Sequence, residues 1–127
     1  MGGRKVNSMV SNYTDLEVWK KGMELAKEIY KVSSHLPKEE LYGLTAQMKR
    51  AAVSVPSNIA EGHRRHHRKE FIQFLYQALG STSELETQLL LSQELYRIQI
   101  PKETMENLGV LSRKIGRLIQ FLKETVK

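Results

Sequence analysis

Seven of the ten residues from 61 to 70 are basic or imidazole side chains: His63, Arg64, Arg65, His66, His67, Arg68 and Lys69, held between Glu61 and Glu70. Two chemistries are open to such a run. Guanidinium groups donate paired, parallel hydrogen bonds that match a phosphate, so Arg64, Arg65 and Arg68, with Lys69 as a point charge, form a candidate anion site. His63, His66 and His67 add charge below about pH 6.5. Lys49 and Arg50 are secondary candidates for the same phosphates. The competing chemistry is metal ligation, because His63/His67 and His66/Glu70 stand four apart and would share a helix face. Zinc would need a third ligand, no His-Glu-x-x-His pattern is present, and the flanking arginines repel a dication. A solvated turn is the plain alternative for any basic run.

Catalytic patterns are weaker still. Glu84 and Glu86 flank Leu85 and diverge on a helix, which is poor geometry for an acid/base pair. Ser54, Ser57 and Ser81 belong to no Gly-x-Ser-x-Gly motif, and no glycine-rich phosphate loop occurs. The expectation is a protein that is not an enzyme and holds neither cofactor nor metal. Ser57, Asn58 and Glu61 surround Ile59 and Ala60, and such a polar segment could bond to a neighbouring helix or to another subunit. Ala78, Gly80 and Ser81 would let a second backbone come close.

The elements that must carry these residues are helical. Thr14 and Glu17 have the spacing of a capping box, and Leu16, Trp19, Met23, Ala26 and Tyr30, widened by Ile29, follow at helical intervals. This stripe predicts a first helix, buried on the Trp19 side, that ends near Ser33 and Ser34. A second stripe runs through Leu44, Met48, Ala51, Val55 and Ile59, with Pro56 inside it. The helix must therefore stop at Val55 or kink and continue to Glu61, with Gly62 as its C-cap. Phe71 to Tyr96 forms the third and longest stripe. Pro101 suits the first turn of a fourth, with Leu108, Leu111, Ile115, Leu118 and Leu122 on one face. No segment alternates with period two for long enough to make a strand. Four amphipathic helices with short connections imply an all-α, antiparallel four-helix bundle over residues 13–127, preceded by a flexible tail over residues 1–12.

With 127 residues the chain makes one domain, and 40% hydrophobic content supports a core. Twenty Lys and Arg against fourteen Asp and Glu leave a charge of +6, which favours anionic partners, nucleic acid first. The absence of cysteine excludes disulfides, thiolate metal sites and cysteine nucleophiles. No stretch approaches the roughly 20 apolar residues of a membrane span, and no apolar signal core follows the basic residues of the first nine. A cytoplasmic location without a membrane partner is expected.

Three segments together resemble a known family: residues 15–19 (Asp-Leu-Glu-Val-Trp), the string from Gly43 to Gly62 that contains Ser-Val-Pro-Ser-Asn-Ile-Ala-Glu-Gly, and residues 80–86 (Gly-Ser-Thr-Ser-Glu-Leu-Glu). They are similar to the bacterial four-helix-bundle proteins first named for reading frames in intervening sequences of large-subunit ribosomal RNA. The similarity runs from about Tyr13 to Lys123. It implies a continuous second helix kinked at Pro56, a cyclic homopentamer, and RNA or DNA binding. Related bundles are accessory subunits of the reverse transcriptases of diversity-generating retroelements. The chain departs from the family pattern at residues 63–67, where relatives commonly mix Gly and Ser with the basic residues, and at residues 95–98, where a Leu-Gly-Tyr-Ile form is usual. The leading expectation is an oligomeric bundle that binds structured RNA, or DNA, through phosphates. The alternative is a protein-interaction scaffold, such as the accessory subunit of a reverse transcriptase.

Overall fold

The computed structural model describes residues 12–125. The tail expected over residues 1–12 lies outside the described residues except for Asn12. Four helices account for most of the chain: α1 (Glu17–Ser33), α2 (Leu44–Arg64), α3 (Arg68–Tyr96) and α4 (Lys102–Thr125). There is no strand among the described residues.

Each helix packs on the next, and α4 returns to α1, so the four form a closed square in which only neighbouring helices bring their backbones close together. Cross-links fix the antiparallel sense. The start of α3 meets the end of α4 where Arg68 Nη1 donates to Thr125 Oγ1. The Asn107 amide donates to Glu28 at 2.9 Å, and Lys114 pairs with Glu17 at 3.5 Å, so α4 descends as α1 rises. The fully buried centre is aliphatic: Leu25 and Ile29 from α1, Met48, Val55 and Ile59 from α2, Leu75, Leu85 and Leu89 from α3, and Leu111, Ile115 and Leu122 from α4. Burying side chains of this size is worth roughly 1.5–3 kcal/mol each. Ser92, also buried, donates to the Gln88 carbonyl at 2.8 Å, so its hydroxyl is not stranded in the apolar interior.

Several local expectations are corrected. Thr14 does not cap α1. Asn12 caps a short 3-10 turn over Tyr13–Asp15 by accepting from the Thr14 N–H at 3.0 Å, and Leu16 precedes α1 without a side-chain cap. The buried face of α1 is Val18, Gly22, Leu25, Ile29 and Val32. Trp19 is only half-buried, and Met23 and Tyr30 are 38% and 45% exposed. Both stripes satisfy a 3.6 period, and the one with more β-branched and aliphatic residues takes the core. Of the two courses open to α2, the helix takes the second and continues through Pro56, as the resemblance implied, but it finishes at Arg64 rather than at Gly62. Gly62 lies inside it for a packing reason: a Cβ there would stand 2.6 Å from Phe74 Cβ on α3.

Candidate nucleic-acid interface

The α2–α3 corner is built by that close approach. After Arg64 the chain turns sharply, with the Arg65 N–H donating to the Gly62 carbonyl at 3.2 Å and His66 in the left-handed region at φ 65°. A non-glycine residue there is uncommon and costs of order 1 kcal/mol, which the flanking helices must hold in place. His67 is extended, and its carbonyl accepts the Phe71 N–H at 2.9 Å to open α3. Three residues, Arg65, His66 and His67, thus connect one helix to the next, and the turn displays His66 and His67 to solvent.

The seven side chains do not play equal parts. Arg64 and Lys69 are exposed and face outward from the last turn of α2 and the first of α3. Arg65 is held on one side by Glu61, Nε to Oε2 at 3.0 Å, and its guanidinium lies 5.1 Å from the centre of the Phe74 ring. That leaves its outer donors available in a fixed orientation. Arg68 is half-buried and spent partly on Thr125, so its first role is to tie α3 to α4. His63 packs edge-on against Phe71, ring centres 5.7 Å apart. A notch of about 440 Å³ beside the corner is lined by Asn12, Tyr13, Thr14, His63, Arg64 and His66. Among the described residues, no three His, Asp or Glu side chains are grouped to hold a metal ion.

Lys49 and Arg50 are not brought to this corner. They lie four turns back along α2, about 22 Å away at 1.5 Å per residue, and the Lys49 ammonium sits 4.8 Å from the centre of the Tyr30 ring. Of the residues expected at an interface or in a buried polar bond, Ser57 is exposed, Glu61 is exposed and paired with Arg65, and the half-buried Asn58 donates to the Ser54 carbonyl of its own helix at 2.8 Å. The polar bridge between α2 and α3 is made by Ser54 and Ser81, whose hydroxyls are 2.5 Å apart.

Two features escaped the sequence reading. Lys123, in the last turns of α4, reaches the Tyr76 hydroxyl at 3.3 Å near the start of α3, adding a cation to the same end of the bundle. Antiparallel topology alone would have placed it there. The second is an apolar groove of about 630 Å³ between the outer sides of α1 and α2, whose walls include Trp19, Met23, Tyr30, Val53, Pro56 and Ala60. It is the stripe that α1 was expected to bury.

A four-helix bundle with a charged corner and an uncovered apolar groove defines the class, and sequence comparison places it more narrowly. The model of the family described as 23S rRNA-intervening sequence protein matches residues 14–121, and the chain belongs to that family. A solved structure of a protein of unknown function, from the S23 ribosomal protein family of Bacteroides thetaiotaomicron VPI-5482, is 28% identical. The match covers 84% of this chain and 95% of that one, with a TM-score of 0.65. No curated protein matches the chain in sequence. No helix among the described residues is long and apolar enough to cross a membrane.

Proposed function

We propose that the protein is a non-enzymatic, oligomeric bundle that binds nucleic acid, structured RNA foremost, through backbone phosphates at the α2–α3 corner. The observation that carries this reading is the exposure of Arg64, Lys69, His66 and His67 beside an Arg65 whose guanidinium is oriented by Glu61 and Phe74. Phosphate contacts of this kind fix position without reading bases. Phosphates carry no base identity, so shape supplies the preference. Avidity then comes from repetition, since an assembly presents the corner once per subunit and several modest contacts add. The family resemblance suggests five subunits.

Fluorescence anisotropy with an RNA hairpin, a DNA duplex and a single strand of equal length tests the reading. It expects the hairpin to bind at least as tightly as the other two, with all binding weakened by salt. Absence of binding to all three at low salt would sink it. The scaffold reading would then take over: the α1–α2 groove is an unfilled apolar surface of the size that receives a partner's side chains, and a reverse transcriptase is the partner that the resemblance suggests.

A further inference from the structure

The notch beside the α2–α3 corner has a chemistry that backbone phosphates alone do not use. Its walls come from two elements. The 3-10 turn ahead of α1 contributes Asn12, Tyr13 and Thr14, and the end of α2 with the turn after it contributes His63, Arg64 and His66. Three of these side chains are rings, one is a guanidinium, and no carboxylate is among them. The volume of about 440 Å³ falls within the range of about 300–1,000 Å³ over which pockets hold small organic ligands. A lone phosphate needs far less room and no aromatic wall.

Both walls are held in place. Asn12 Oδ1 accepts from the Thr14 N–H at 3.0 Å and from the Thr14 hydroxyl at 2.9 Å, which closes the turn and leaves the Asn12 NH2 group as what this residue offers a ligand. The Tyr13 ring is half-buried and meets the Trp19 ring edge-on, centres 5.5 Å apart, so its position does not depend on the notch being filled. His63 is likewise set edge-on against Phe71. Arg64 and His66 are exposed, and the φ of 65° at His66 is one that glycine adopts freely, so the backbone of the turn does not itself require an imidazole there.

We infer that the notch takes one unpaired nucleotide, bulged from a duplex or overhanging its end, with the base against Tyr13 and His66 and the phosphate on Arg64. The inference rests on the proposed nucleic-acid binding at this corner and names the feature of shape that the corner prefers. In a duplex each base is stacked between its neighbours and shows only its edges in the grooves, so a pocket with ring walls is reached only by a base that has left the stack. Tyrosine and histidine rings stack on the face of any base, and the Asn12 NH2 group donates to a ring nitrogen or carbonyl that pairing would otherwise occupy. Arg64 joins the two parts of the site, because it lines the notch and also belongs to the exposed cations of the corner. The ligand is therefore the junction of paired and unpaired strand rather than either alone.

Fluorescence anisotropy with three RNA hairpins of one stem sequence tests the inference: a fully paired stem, the same stem with one bulged uridine, and the same stem with an abasic residue at the bulge. The abasic stem keeps the backbone distortion and lacks the ring. The uridine bulge should bind at least about fivefold more tightly than the other two, the least that one base–aromatic stack supplies. Tyr13→Leu, which keeps an apolar neighbour for Trp19, and His66→Gly, which suits the turn, should each bring the ratio of uridine bulge to abasic bulge toward one, with unchanged helical circular dichroism. Lys69→Ala, outside the notch, should weaken all three stems and keep the ratio. If the three stems bind wild type alike, or the abasic bulge binds as tightly as the uridine bulge, the notch holds no base while the phosphate reading stands. A ratio that survives both Tyr13→Leu and His66→Gly would mean that the base is held elsewhere. Failure of every stem to bind overturns the phosphate reading and this inference with it.

Discussion

Gly62 and Phe74 are so close that the missing Cβ of the glycine would lie 2.6 Å from the Cβ of the phenylalanine, inside any real carbon–carbon contact. The α2 and α3 backbones can approach at this point because one of them has no side chain. The same approach aims the corner residues Arg64 to Lys69. Gly62→Ala should therefore destabilise the fold by about 1–3 kcal/mol through overpacking, even though alanine is favoured over glycine in a helix by roughly 1 kcal/mol. Urea unfolding measures it. A net gain in stability would mean that the helices part there at little cost.

The register of α1 yields a second prediction. Leu25 is 2% exposed and points into the bundle, so Leu25→Ala should cost about 2–5 kcal/mol. Met23, two residues away on the groove side, should cost under about 0.5 kcal/mol when replaced by alanine under conditions that keep subunits apart. Equal losses from the two variants would return the Trp19 stripe to the core.

Glu40 and Tyr96 join the loop before α2 to the last turn of α3. The Tyr96 hydroxyl donates to Glu40 Oε2 at 2.5 Å, while Oε1 accepts the Leu44 N–H at 2.9 Å and so covers an open donor at the start of α2. The tyrosine bond first, and the Leu44 N–H second, hold the Glu40 carboxyl below its ordinary value of 4.5. The same bond, followed by desolvation and the negative charge of Glu40 and Glu39, raises the Tyr96 phenol above 10.0. A lowered carboxyl contributes stability that is present above 4.5 and lost as pH falls through its folded value. A raised phenol contributes stability that is present below 10 and lost as pH rises through its folded value. Tyr96→Phe should move the Glu40 carboxyl titration, followed by carbon NMR, back toward 4.5 without reaching it, because Leu44 still donates. An unmoved titration would show that the bond does not form in solution.

The helices themselves were legible because apolar residues recur at three and four in all four segments, and because a connection as short as the one between residues 64 and 68 leaves antiparallel packing as the economical choice. What failed to read out depended on knowing which neighbour each face would meet. Trp19 and Val18 both begin acceptable stripes, and only the finished square of helices sends Val18 inward. Gly62 looked like a stop signal, yet its use is to admit Phe74, a residue twelve positions on. The basic run was legible as a patch, but its division into exposed residues (Arg64, Lys69), an oriented one (Arg65) and a tie to α4 (Arg68) needed Glu61, Phe74 and Thr125 in place. Lys49 and Arg50 resembled the corner residues in type and proved to be four helical turns away from them.

The central claim is that phosphates bind at the α2–α3 corner, and the slope of binding against salt tests it most directly. Each phosphate neutralised contributes about −0.9 to the log–log slope on duplex DNA and about −0.7 on a single strand. Arg64→Ala/Lys69→Ala should therefore flatten the slope by about 1.8 or 1.4 for each engaged subunit, with affinity reduced alike across sequences. Lys38→Ala/Lys102→Ala removes two exposed charges at the opposite end of the bundle and should leave the slope as it is. A corner variant with the wild-type slope, or a slope that responds equally to both pairs, would contradict the account.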